Sequence, residues 1–365
     1  MRAIRRCPLA VLALLLLAAL AVASVALPDR TYSDLENRPL AEAPQWDAGA
    51  YLSGQAMRRW DTYVDDHLAL RDDFMMLNAV KDAALLRTQR QGVLLMADGR
   101  MAEVADNLTP GAFPANIQAM QTLGEKVNLP VTLLMIPLPT QVYTDALPPY
   151  YPHTDVQALV QEPLAQTTVN VVDALPALAA APGETYYRTD HHLTALGAQV
   201  ALQPLWDQWG MLPSEPDNTL TAPDFYGSFY SRAPAPWIAP DTLTFSLYEG
   251  LTLAVSDHEV TGLYDAALLL RRNKYAALLY NNPPELTLTN PNGHGTLLVL
   301  RDSYASAMLP ALSARHERVI AVDPRFYNGD LMALCQNMQV ERILCLYGIN
   351  ALLTDRNLPR LVSAL

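Results

Sequence analysis

From about Asp98 onward, short apolar runs rich in branched side chains recur along the chain, and each gives way to a stretch with helical patterning. The runs are Val131 to Ile136, Thr168 to Val172, Leu297 to Leu300, Val319 to Val322 and Ile343 to Tyr347. Buried strands alternating with helices predict a parallel sheet covered by helices, an α/β fold. At 365 residues the chain is long enough to bury a sizeable core of this kind, and no internal repeat is evident. The pattern breaks between Leu205 and Asn292, where Pro-rich and aromatic-rich segments such as Asp224-Phe225-Tyr226-Gly227-Ser228-Phe229-Tyr230 and Ala233-Pro234-Ala235-Pro236-Trp237 appear. This predicts an insertion at about 206–292, serving either as a lid over a site or as cover for a sheet edge.

The amino terminus sets the compartment. Arg2, Arg5 and Arg6 precede an uncharged run from Cys7 to Pro28, dominated by leucine and alanine and long enough to cross a bilayer. Residues 1–28 are therefore a signal peptide or a membrane anchor. The small residues Ala21, Ala23 and Ala26 suit a signal peptidase, whereas the length of the run favours an anchor. Either way the remainder is expected outside the cytoplasm, tethered to the cell membrane or secreted. Residues 29–97, with amphipathic stretches at Tyr51 to Leu68 and Asp73 to Leu86, are expected to form a helical region packed on a main domain at 98–365. Three cysteines supply no disulfide framework; Cys335 and Cys345 are either bridged or, the favoured reading, buried free thiols. A net charge of −12 and the lack of a basic tract exclude nucleic acid as a partner, and fit a neutral or cationic glycan better.

Two distant segments carry the chemistry. Tyr187-Arg188-Thr189-Asp190-His191-His192-Leu193-Thr194 supplies an acid and a base, and Arg301-Asp302-Ser303-Tyr304 supplies a hydroxyl. A serine hydroxyl is a poor nucleophile until an imidazole takes its proton, and the imidazole needs a carboxylate to fix its tautomer. Ser303, His192 and Asp190 fit those three roles. Ser303 follows the strand-like Gly295 to Leu300 and precedes a helical stretch, so it is expected at the carboxyl end of a sheet, beside a helix amino terminus that favours developing negative charge. Thr194 precedes the helical run Ala195 to Leu202 and is the expected cap, which puts Asp190 to His192 in the turn before it. Singly, Ser303 reads as a helix cap and His192 as a polar loop residue; the joint arrangement points to acyl transfer. Gly348-Ile349-Asn350 follows the strand-like Arg342 to Tyr347. The Ser303 backbone amide and the Asn350 side chain are the expected oxyanion donors, with Gly329 a further backbone candidate. Tyr347 competes for a polar role against a plain packing role. Arg301 and Lys274-Tyr275 are candidates for substrate contact. No metal centre or cofactor is expected, since Asp190-His191-His192 is one cluster and a metallophosphoesterase needs several.

A serine after a strand in a Gly-Asp-Ser-like context, a later Gly-x-Asn and an Asp-x-His element together resemble the SGNH hydrolase superfamily. Here the Asp/His element precedes the serine, an order that looks circularly permuted and is similar to that of the DHHW protein family and of the alginate O-acetylation proteins AlgX and AlgJ. The resemblance extends to Glu36-Asn37-Arg38-Pro39-Leu40, Tyr63-Val64-Asp65-Asp66-His67, Leu70-Arg71-Asp72, Gly92-Val93-Leu94-Leu95 and Leu133-Leu134-Met135-Ile136-Pro137, and so covers most of the mature chain. Two positions depart from it: Leu193 stands where the family has tryptophan, and Arg301 where Gly-Asp-Ser has glycine. The resemblance implies an SGNH hydrolase-like three-layer α/β/α fold with a mainly parallel sheet. It also implies an extracytoplasmic serine-dependent O-acetyltransferase or acetylesterase acting on a cell-surface or exported polysaccharide, with a membrane-bound O-acyltransferase as donor-side partner. The alternative is a non-catalytic glycan-binding or envelope-assembly protein on the same fold.

Overall fold

The structure, a computed structural model, describes residues 8–105, 107–151, 154–256 and 258–365. Arg2, Arg5, Arg6 and Cys7 lie outside the described residues. The chain forms two compact units: residues up to Arg87 with Ser231–Trp237, and Thr88–Tyr230 with Ile238–Leu365.

In the smaller unit, helix α1 (Pro8–Ala26) has no buried residue and is apolar enough over its 19 residues to cross a membrane. Helices α2 (Gln55–Asp66) and α3 (Arg71–Ala84) follow. Charges early in the chain lock onto them. Arg38 bonds Asp66 at 2.5 and 3.0 Å, Arg71 bonds Glu36 at 2.5 Å, and the Ala41 amide donates to Asp66. The Arg38 hydrogen bond outweighs burial and holds the Asp66 carboxyl down at about 2. The Glu36 to Leu40 segment and the Asp66 and Arg71 positions thus act as one structural clasp.

The larger unit is built on an eight-stranded sheet. Its strands are β1 (Val131–Ile136), β2 (Asn170–Asp173), β3 (Thr252–Val255), β4 (His258–Val260), β5 (Glu285–Thr289), β6 (Thr296–Arg301), β7 (Arg318–Val322) and β8 (Arg342–Gly348). They lie in the order β4-β3-β5-β7-β6-β8-β1-β2. The five strands from β7 to β2 pair in parallel, while β5, β3 and β4 complete one edge in antiparallel sense. Strand parity explains why the central runs are apolar throughout. Leu297 and Val299 enter one core cluster, Leu298 and Leu300 the other, and all four are fully buried. The first cluster includes Leu202 and Leu205 of helix α5 (Ala195–Trp209), and the second includes Ile117, Met120 and Leu123 of helix α4 (Ala112–Val127), giving three layers. The expected SGNH-like α/β architecture with a mainly parallel sheet is therefore present.

The aromatic-rich stretch between Leu205 and Asn292 contributes β3, β4 and β5 to the sheet edge and a hairpin pairing Asn218–Phe225 with Asp241–Leu247. It also carries Tyr275, which reaches the candidate site described below.

Candidate functional site

Four strand ends define the working edge of the sheet. β6 ends at Arg301 and leads through Asp302 into Ser303, where a 3₁₀ turn (Ser303–Ala307) begins, followed by a short helix (Leu309–Ser313). The sequence had suggested a continuous helix; the tighter turn arises where Asp302 accepts the Tyr304 amide at 2.9 Å. Its other oxygen accepts the Gly348 amide from the end of β8 at 2.8 Å, tying the two strand ends together. Burial nevertheless dominates at Asp302 and, against both amides, pushes its carboxyl up to about 6.

Asp190 and His192 share one turn. Thr194 caps α5 as expected, accepting the Gly197 amide at 3.1 Å, and the Thr194 amide donates back to the Thr185 carbonyl. A bridge between Tyr186 and Leu193 and the Tyr187 amide on the His192 carbonyl close the turn. Inside it Asp190 accepts the His192 backbone N–H at 2.9 Å and faces His192 Nδ1 at 2.5 Å. The second Asp190 oxygen accepts the Ser228 amide at 2.6 Å. Burial favours the neutral acid, but the facing imidazoles of His192 and His191, the His192 hydrogen bond and the Ser228 amide together outweigh it and hold Asp190 well below the usual carboxylate range. An ionised Asp190 fixes the tautomer: Nδ1 carries the proton, so Nε2 presents its lone pair.

The surroundings of His192 are aromatic. Tyr275 stacks on it with ring centroids 3.6 Å apart and planes 6° from parallel, and the Tyr275 hydroxyl donates to the Ser303 carbonyl at 3.3 Å. Tyr304 approaches edge-on with its centroid at 5.7 Å. One tyrosine therefore touches both the His192 ring and the Ser303 backbone. Ser303 is half-buried. Among the described residues His192 Nε2 makes no hydrogen bond, to Ser303 or to any other group, and neither does the buried Tyr304 hydroxyl. Buried polar atoms without partners are uncommon, and here one is on His192 and another on the residue after Ser303. In unliganded sites catalytic hydrogen bonds are often long.

The other expected residues separate. Asn350, in the first turn of helix α6 (Ile349–Thr354), donates from its side-chain amide to Glu103 at 3.0 Å. Gly329 lies in an exposed loop against the Tyr327 ring, where a Cβ would meet the Tyr327 hydroxyl at 2.4 Å. Tyr347 belongs to the core cluster on the opposite sheet face from Tyr304 and Leu193, with its hydroxyl buried and without a partner among the described residues. Arg301 is fully buried and donates to Asn282 Oδ1 at 2.8 Å and the Pro283 carbonyl at 3.0 Å, a fold-internal cation in place of the expected substrate contact. Leu193, at the position of the family's tryptophan, is 1 % exposed and fills the core. His191 sits with its Nδ1 2.7 Å from the Ser228 hydroxyl, its ring 3.7 Å from that of His192. Ligand atoms of Asp190, His191 and His192 lie within 4.8 Å of one another, but the Asp190 oxygens and the Nδ1 atom of each histidine are occupied by the hydrogen bonds above. Sequence reasoning missed Ser228, whose amide holds Asp190, and Gly227, whose missing side chain makes room for it. A Cβ on Gly227 would fall 2.2 Å from Asp190 Cβ. It also missed Asp241, which accepts the Arg188 and Thr189 amides. The stretch containing the glycine and serine had signalled only an excursion toward a site.

Sheet and strand order form an SGNH hydrolase-like α/β fold. Residues 103–210 match the family model described as SGNH hydrolase-like domain, acetyltransferase AlgX. Over 192 residues the chain is 29 % identical to the probable alginate O-acetylase AlgJ of Pseudomonas syringae pv. tomato, an alignment covering 47 % of this chain and 47 % of that protein. The chain thus spans about half the length of the curated relative it matches. In three dimensions it is similar to a DHHW family protein from Eubacterium siraeum, with TM-score 0.63, 19 % identity and coverage of 76 % of this chain and 96 % of the other. It is also similar to Bacillus cereus PatB1, solved with a sulfonyl adduct, with TM-score 0.59, 18 % identity and coverage of 73 % and 97 %. The resemblance read from the motifs is borne out, and the structural likenesses establish the fold.

Proposed function

We propose that the protein is an extracytoplasmic O-acetyltransferase that modifies a cell-surface or exported polysaccharide through an acyl-enzyme at Ser303. The observation that carries this reading is the buried Asp190–His192 pair, with Nδ1 committed to the carboxylate and Nε2 left without a partner beside the Ser303 segment. Likeness to a probable alginate O-acetylase supports acetyl transfer as the reaction class. In the forward step His192 Nε2 takes the Ser303 proton as Oγ attacks the acetyl carbonyl of the donor. The tetrahedral oxyanion is met by the Ser303 backbone amide and by Asn350, which leaves Glu103 to do so. Collapse returns the proton from His192 to the donor's leaving group and leaves acetyl-Ser303. A glycan hydroxyl then gives its proton to His192, attacks the acyl-enzyme and departs as the acetyl ester, restoring the serine. The apolar helix α1 supports a membrane-anchored or exported location, and a membrane-bound O-acyltransferase is the donor-side partner this arrangement calls for.

Full-length protein in detergent, incubated with a serine-directed sulfonyl fluoride, should acquire one adduct, located by peptide mass spectrometry at Ser303. It should vanish in Ser303→Ala and fall sharply in His192→Ala, because an unassisted serine is scarcely ionised at neutral pH. Unlabelled protein that still binds an acetylated glycan in calorimetry would decide for the non-catalytic glycan-binding alternative.

A further inference from the structure

The carboxyl edge of the sheet continues past Ser303. Gly348 of β8 pairs with Ile136 of β1, and Arg301 of β6 with Leu346 of β8, so the ends of β6, β8, β1 and β2 lie side by side. Beyond the ends of β1 and β2 a cleft of about 250 Å³ opens, with Leu138 and Leu175, each two residues past its strand, in its wall. At a strand spacing of about 4.8 Å the cleft begins about 10–14 Å along the edge from the strand that delivers Ser303. Open α/β sheets bind ligands outside the carboxyl ends of their strands, and this separation is one a short oligosaccharide spans.

The lining matches a sugar. Thr140, Thr144 and Gln141 offer hydroxyls and an amide, and the Gln141 carbonyl oxygen is already used by the Leu138 amide, which leaves its N–H groups as donors. Leu138 and Leu147 supply apolar wall. Among the described lining residues the one charge is Asp155, an acid whose carboxylate caps the next helix through the Ala158 amide. Among the described residues no Lys or Arg lines the cleft, and those around the candidate site are committed elsewhere. Arg100 is held by Asp98 at 2.7 Å and Glu184 at 3.1 Å, Arg188 by Glu184 at 2.8 Å, and Arg325 by Asp323 at 2.6 Å, while Arg301 is buried on Asn282 and Pro283. Alginate, the polymer in the name of the P. syringae relative, carries a carboxylate on every sugar. Such a chain would meet an acid and no counter-charge here, in a protein of net charge −12.

Resting on the acetyltransferase reading, we infer that this cleft is the acceptor subsite and that it takes a neutral hexose unit of the acceptor glycan, rejecting uronates. Two variants test it: Leu147→Trp fills the cleft, and Thr144→Arg, at an exposed position, adds bulk and positive charge without disturbing the core. Full-length Ser303→Ala protein in detergent should bind cellohexaose in calorimetry and ignore an oligomannuronate of equal length. Either cleft variant should weaken cellohexaose binding about tenfold or more. In otherwise wild-type protein both variants should keep the wild-type rate of Ser303 sulfonylation while losing acetyl transfer to cellohexaose. Oligomannuronate binding as tight as cellohexaose, or cellohexaose binding untouched by both variants, overturns the subsite. Absent Ser303 labelling with intact, cleft-dependent cellohexaose binding would instead remove the enzymatic reading and leave the glycan site standing.

Discussion

Gly227→Ala should disable the site without touching any reacting group. The added Cβ would lie 2.2 Å from Asp190 Cβ, 2.6 Å from Cγ and 2.4 Å from Oδ2. Carbon contacts relax near 3.5–4.0 Å, so one side must yield by roughly 1.5 Å. The backbone at residue 227 is pinned, since its amide donates to Thr189 Oγ1 at 3.1 Å and Thr189 in turn bonds Asp241 at 2.5 Å. The displacement therefore falls on the Asp190 carboxylate. A shift of that size breaks the 2.6 Å bond from the Ser228 amide and the 2.5 Å contact with His192 Nδ1. Overpacking costs about 1–3 kcal/mol, and each charge-assisted hydrogen bond lost about 1.5–3 kcal/mol more, so native stability should fall by about 3 kcal/mol or more. With the imidazole no longer oriented, Ser303 sulfonylation should slow by up to roughly four orders of magnitude, the scale of a lost triad carboxylate. Labelling followed by intact mass, alongside thermal unfolding of the same sample, separates loss of site from loss of fold. Ser228→Ala is the control, because residue 228 holds Asp190 through its backbone and should keep labelling. A Gly227→Ala protein with wild-type stability and labelling rate would refute the assigned role of Asp190.

Three further outcomes can be measured directly. His192→Ala should abolish acetyl release from a chromogenic acetyl ester while His191→Ala retains much of it, since only His192 directs Nδ1 at Asp190 at hydrogen-bond distance and leaves Nε2 unpartnered; the reverse would move the base to His191. Burial raises Asp302 to about 6 from an unfolded value near 3.9, so the folded state holds the extra proton and this group's contribution is fully present below about pH 4 and lost as pH rises through 6. Denaturant unfolding should show the stability of wild type relative to Asp302→Asn declining by up to about 3 kcal/mol between pH 4 and 7, and a flat difference would show that Asp302 does not titrate in that window. Cys335 and Cys345 are free and buried, with burial pushing the Cys335 thiol up to about 11 and the Cys345 thiol higher still, so a maleimide should modify neither until denaturant is added.

What the sequence made legible follows from range. The central strands announced themselves because each is apolar at both parities, the mark of a strand with a layer on either side. Asp190, His192 and the Thr194 cap were readable because they share one turn and interact over two or three residues. Ser228 reaches Asp190 across 38 positions, and Tyr275 reaches Ser303 across 28, through loops with no periodicity to read. Strand parity did hold unused information. Leu344 and Leu346 enter one core cluster while Ile343, Cys345 and Tyr347 enter the other, so counting by two from β8 already turned Tyr347 away from the face that carries Leu193 and Tyr304. The same count from Val299 sends Arg301 inward, into the shell where Asn282 and Pro283 receive it.

In the proposed reading the permuted order of Asp190, His192 and Ser303 is no obstacle, because the sheet edge and not chain order brings segments together. Asp190 and His192 enter on the segment between β2 and α5, at one end of the parallel block, and Ser303 leaves β6 three strands nearer the other end. What closes the gap is the excursion between α5 and β6. Its Ser228 amide holds Asp190, and its Tyr275 stacks on His192 while bonding the Ser303 carbonyl. Tyr275 should therefore act as a positioning residue for the base. Tyr275→Phe keeps the stacked ring and should label Ser303 within a few-fold of wild type, the loss expected for one neutral hydrogen bond of about 1 kcal/mol. Tyr275→Ala removes the ring that fixes the imidazole plane and should slow labelling far more than it lowers affinity for the acetyl ester, so that kcat falls with KM little changed. Equal labelling rates for the Phe and Ala variants would show that Asp190 alone orients His192.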